Sequence, residues 1–121
     1  MTLDKPLITK ATVATLRQLR SRLAQPLYWT KGAAARDAAG RPVDPYHSSA
    51  CKWCLLGAMM RDFGPGTASA REVLIAIAGH RLAAFNDTHT HDEVIAKIES
   101  AIALAKAAVA NQGASNAERK S

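Results

Sequence analysis

The sequence predicts a mainly α-helical domain: about four helices around a central apolar helix, with a small β-hairpin flap between the first and second. Three observations predict it. Aromatic residues are only 5% of the chain while alanine recurs through its second half, so the core falls to aliphatic side chains on closely packed helices. Apolar positions recur at helical spacing over most of the chain. The exception is residues 27–47, where Gly32, Gly40, Pro42 and Pro45 bring turn chemistry. A chain of 121 residues encloses one core, which assigns 1–110 to a single domain and 111–121, small and charged without an apolar stripe, to a flexible tail.

The first helix is expected to start at Thr9 or Thr12, either of which can cap it, and to run to Gln25, where Pro26 stops it. Leu16, Leu19 and Leu23 form its apolar stripe, with arginines toward solvent. The hairpin arms are read at 33–36 and 41–43, and Pro42 confines the second arm to an edge. A second helix is read from Ser48 or Ser49 to Asp62 or Phe63, ended by Gly64-Pro65-Gly66. Apolar residues surround almost its whole circumference, which places it centrally. Gly57 within it costs about 1 kcal/mol relative to alanine, and a close neighbouring backbone would explain its presence.

Ser69 and Glu72 form a capping-box pattern for a third helix reaching Phe85, with Arg81 inside its apolar arc, where a guanidinium needs an acceptor. The chain then breaks at 86–89. Thr90 and Glu93 make a second capping box, opening a helix with the stripe Val94, Ile95, Ile98, Ile102, Ala105 and Val109.

The net charge of +6 is unevenly placed. Residues 1–41 carry Lys5, Lys10, Arg17, Arg20, Arg22, Lys31, Arg36 and Arg41 against only Asp4 and Asp37, whereas basic and acidic side chains balance in the remainder. Lys10, Arg17, Arg20, Arg22, Lys31, Arg36 and Arg41 are therefore the candidate partner-binding set, for an acidic protein surface or nucleic acid. No segment has the apolar length of a membrane span, and the first residues lack the apolar run of a secretory signal, so a cytoplasmic protein is expected.

Chemistry-bearing motifs are sparse. Cys51 and Cys54 have CxxC spacing, but no βαβ context surrounds them, and a zinc site would need histidines such as His47 and His80 to converge from elsewhere. They read as small buried hydrophobes. His89 and His91, beside Asp87 and Asp92, surround a helix start and read as capping residues rather than as metal ligands or an acid–base pair. No nucleophile–base order, paired-carboxylate motif or phosphate loop can be assembled, so the residues argue against an enzyme and assign no catalytic residue, metal or cofactor.

Taken together, Trp29-x-x-Gly32, Arg36-Asp37-x-x-Gly40-Arg41-Pro42-Val43, Cys54-x-x-Gly57-Ala58, Phe85-Asn86-Asp87 and Thr90-x-x-Glu93-Val94 resemble a group of short bacterial and phage proteins forming a family of unknown function. The resemblance spans about residues 26–105, with Phe85 standing where that pattern carries tryptophan. It implies a single domain and a mobile-element origin, and no activity. Two functional expectations follow from the residues. The first is a small non-enzymatic inhibitor or regulator that docks through its basic N-terminal third. The second is a pocket for a small anionic, nucleotide-derived ligand lined by Trp29, Arg36, Arg81, Asn86 and Asp87. A metal- or thiol-dependent enzyme using the cysteines and histidines ranks third.

Overall fold

The computed structural model describes residues 7–120, with side chains described for residues 7–112. Of the expected tail, 111–121, the backbone to Lys120 belongs to the last helix, and Ser121 lies outside the described residues. The fold is mainly helical with a small antiparallel sheet, as the sequence predicts.

Thr9 precedes α1 (Lys10–Arg22), and its N–H donates to Thr12 Oγ1 at 2.9 Å. The helix ends before the expected Gln25, because the residue preceding a proline is disfavoured in helical backbone; Gln25 is extended and Pro26–Tyr28 form a 3-10 turn. The hairpin forms as β1 (Ala35–Arg36) and β2 (Pro42–Val43), with Ala35 opposite Val43. Asp37 closes its turn: Oδ1 accepts from the N–H groups of Ala39 and Arg41 at 3.0 and 2.9 Å, and Oδ2 accepts from Arg41 Nε at 2.9 Å.

The structure corrects the expected second helix. Lys52–Trp53 is a strand, β3, pairing antiparallel with the other side of β1, so the sheet order is β2-β1-β3. Extended backbone here lets Cys51 and Cys54 donate their N–H groups to the Arg36 and Ala34 carbonyls, at 3.0 and 3.1 Å, and buries Trp53. Tertiary pairing outweighs local helical periodicity. The helix α2 (Leu55–Arg61) begins only after Cys54, whose Sγ, rather than a serine, accepts from the Gly57 N–H at 3.2 Å. Gly57 meets the expected backbone: a methyl group there would overlap the Ala34 carbonyl.

Two further boundaries differ. The helix α3 (Thr67–Ala78) starts ahead of the predicted capping box, and Ser69 is instead buried, donating to the Gly66 carbonyl at 3.1 Å and lying 2.6 Å from Thr12 Oγ1 of α1. The expected single helix to Phe85 is interrupted at Gly79, and a separate α4 (Leu82–Thr88) contains the segment 86–88 read as a break. Asn86 stays helical because its amide finds tertiary partners instead of folding back on the local chain. The capping box that opens α5 (His91–Lys120) is present: Thr90 N–H donates to Glu93 Oε1 at 2.8 Å, and Glu93 N–H to Thr90 Oγ1 at 3.2 Å.

The helices α1, α3 and α5 pack on one another around Leu16, Leu19, Leu23, Leu74, Val94 and Ile98, while α2 and α4 pair beside the sheet and add Leu55, Ala58, Met59, Leu82 and Phe85. Both ends of α1 are fixed. Near its start Gly66 has no side chain to hold the Ala11 carbonyl away, and at its end Leu23 O accepts a hydrogen bond from His91 Nε2 at 2.6 Å.

Two predictions follow. Gly57→Ala should lower stability by about 3 kcal/mol, since the added carbon can be accommodated only by moving β1 backbone; urea denaturation measures it. The Arg41 N–H and guanidinium hold the Asp37 carboxyl below its ordinary 3.8, so its contribution is present above that value and is lost as pH falls through the depressed one. Thermal melting from pH 6 downward should therefore show an acid-side loss that is smaller in Asp37→Asn; equal acid slopes would contradict this role.

Candidate functional site

Residues of the Trp29, Cys54 and Asn86 motif segments meet at one point, the Asn86 side chain. It is wholly buried, and its amide is used to capacity. Oδ1 accepts from Trp29 Nε1 at 2.6 Å and from the Leu55 N–H at 3.0 Å, while Nδ2 donates to the Thr30 carbonyl at 3.0 Å and to Asp87 Oδ1 at 3.2 Å. Asp87 Oδ1 also accepts from the Gly32 N–H at 3.0 Å. Arg36 completes the loop, donating to Thr30 Oγ1 and to the carbonyls of Lys31 and Gly40, each at 3.0 Å. Four of the five candidate pocket residues, Trp29, Arg36, Asn86 and Asp87, are thus brought into one region, where they bind protein groups.

The fifth is elsewhere. Arg81 lies outside any apolar arc: it is the exposed residue before α4, because Gly79 ends α3 and resets the helical phase. The hollow beside this network, about 220 Å³, is lined by Gly32, Ala33, Ala34, Cys54, Leu56, Ala83 and Asp87. Its lining has a carboxylate and no cation, a polarity that disfavours an anionic ligand.

The seven candidate partner-binding cations divide by surroundings. Arg22 forms a two-pronged pair with Asp62 and lies 4.7 Å over the Trp53 ring; Arg20 reaches Glu99 at 2.7 Å, and Arg41 pairs with Asp37. Arg36 is committed to the carbonyls above, and Lys31 sits 5.4 Å over the Trp29 ring. Lys10 and Arg17, exposed and two helical turns apart on α1, take part in no ion pair among the described residues. Together with Lys106 of α5 they border a groove of about 410 Å³ whose remaining lining is Val13, Ala14, Val109 and Ala110. Lys106 escaped the sequence reading, which weighed the basic N-terminal third alone; its position one turn before Val109 was the available signal.

Cys54, His89 and His91 make structural contacts. Cys51 and Cys54 flank β3 instead of sharing a helix face, and burial pushes the Cys54 thiol up, the opposite of an activated nucleophile. His89 stacks on Phe85 at 4.0 Å with Nδ1 2.7 Å from the Phe85 carbonyl, and His91 ties α5 to α1. Among the described residues, no three His, Cys, Asp or Glu side chains converge as a metal site would require. No helix among them is long and apolar enough to cross a membrane.

Replacing Asn86 tests the hub. Asn86→Ala should lower stability by about 3 kcal/mol or more, leaving the indole N–H, the Leu55 N–H and the Thr30 carbonyl unpaired. Asn86→Asp should fare no better, since its second oxygen would face two acceptors. Chemical denaturation that found either change neutral would remove the hub from the fold's essential interactions.

Comparison with known proteins returns no match among curated proteins and none among solved structures. A family model does match, over residues 8–104, which takes in the whole Asn86 network and most of the groove: the chain belongs to the family of unknown function DUF6197.

Proposed function

We propose that this protein is a non-enzymatic binding protein, an inhibitor or regulator that acts by occupancy, and that it holds an acidic segment of a partner protein in the groove between α1 and α5. The observation that carries the proposal is the groove's composition. Lys10, Arg17 and Lys106 border an otherwise apolar lining, and no carboxylate is among the lining residues. Exposed charges of one sign steer an oppositely charged partner, while an apolar floor rewards aliphatic side chains between its carboxylates. A phosphate backbone would satisfy the cations but leave Val13, Ala14, Val109 and Ala110 without a counterpart, which favours protein over nucleic acid.

Capture from nuclease-treated host extract on immobilised protein, eluted with a salt gradient, tests this. The triple variant Lys10→Glu, Arg17→Glu, Lys106→Glu should bind its partner roughly a hundredfold more weakly, with an unchanged far-ultraviolet circular dichroism spectrum. Arg41→Glu, which alters a cation away from the groove, should capture as the wild type does. Capture that survives the triple reversal, or that disappears with nuclease, overturns the proposal.

A further inference from the structure

We infer that α3 carries a self-docking surface through which two copies of this chain pair about a two-fold axis. The surface is independent of the basic groove. Two hollows lie along α3 and share Glu72 and Ile75 in their linings. One, about 520 Å³, is bounded by Tyr46, Met60 and Phe63; the other, about 510 Å³, by Ile8, His80 and Leu104. Phe63 is 75% exposed, Tyr46 57%, Leu104 44% and Met60 38%, so among the described residues most of the large apolar side chains left in water gather on this band. Apolar surface concentrated in this way marks an interaction site.

The band supplies its own complement. Arg71 and Glu72 stand side by side at its middle, both exposed, and neither enters an ion pair among the described residues. An antiparallel pair of α3 helices with its axis between positions 71 and 72 sets each Arg71 beside the other copy's Glu72. The same operation carries the Phe63 end of one copy toward the His80 and Leu104 end of the other, so a protruding ring faces a hollow at both ends of the contact. An acidic or a basic partner would satisfy one member of the Arg71–Glu72 pair and repel the other, whereas a second copy satisfies both.

Sedimentation velocity over a concentration series decides the matter, up to about 100 μM, a range that registers a modest dissociation constant. The wild type should move to a two-chain particle, and Phe63→Asp, a change at an exposed position, should abolish it. The two-fold repeats each contact, so Arg71→Glu or Glu72→Arg alone turns two attractions into two repulsions and should weaken pairing roughly tenfold. The combined R71E/E72R variant exchanges the charges and should recover the wild-type constant. A single-chain particle at every concentration, a pair indifferent to Phe63→Asp, or no recovery in the double variant would each overturn the inference.

Discussion

The fold turns on a single carboxamide. Asn86 sits where four segments meet: the loop after the 3-10 turn, the start of α2, the body of α4 and, through Asp87, the approach to β1. Two donors and two acceptors are what a primary amide offers, and all are used in a site closed to water. Among the other side chains only glutamine carries the same amide, on a stem one methylene longer. An aspartate has only acceptors and a leucine has neither, so neither could hold the Trp29 indole and the Thr30 carbonyl at once. The irregular segment from 29 to 34 needs this support, because apart from the Thr30 and Trp53 pairing it forms little regular sheet structure of its own.

This arrangement changes the meaning of the charge excess. Much of the positive charge in the first third is mortar. Arg36 binds three acceptors of its own loop, Arg22 joins α1 to the end of α2 while covering Trp53, and Arg41 reinforces the hairpin turn. Guanidinium groups suit such work because their donors fan out in one plane toward carbonyl and carboxylate oxygens. A net charge counted along the chain therefore overstates the field presented to a partner, and Lys10 and Arg17 join Lys106, a residue from the distant balanced segment, at the basic groove.

The sequence made legible whatever depends on neighbours a turn away. Both the Thr90–Glu93 capping box and the leucine stripe of α1 are local, and both are found. Gly57 was legible for a different reason: a glycine that weakens a helix implies a neighbour pressed against it, and Ala34 is that neighbour. What escaped was decided by distant contacts. Trp53 and its flanking cysteines carry helical periodicity but are drawn into the sheet by Ala35 and Arg36, and Ser69, which has the look of a cap, is drawn inward by Thr12. The site was legible in the same measure. Of the five residues grouped as a pocket, Trp29, Arg36, Asn86 and Asp87 share one region and Arg81 does not, and spacing along a chain cannot distinguish groups that face a ligand from groups that face one another.

The clamped ends of α1 have a consequence for whatever rests against it. Crossed tightly over Gly66 at one end and tethered to the imidazole of His91 at the other, this helix cannot slide or tilt without breaking a backbone contact or a short hydrogen bond. The wall that α1 gives the groove is therefore anchored at both of its ends, so an incoming chain would meet that side already in place.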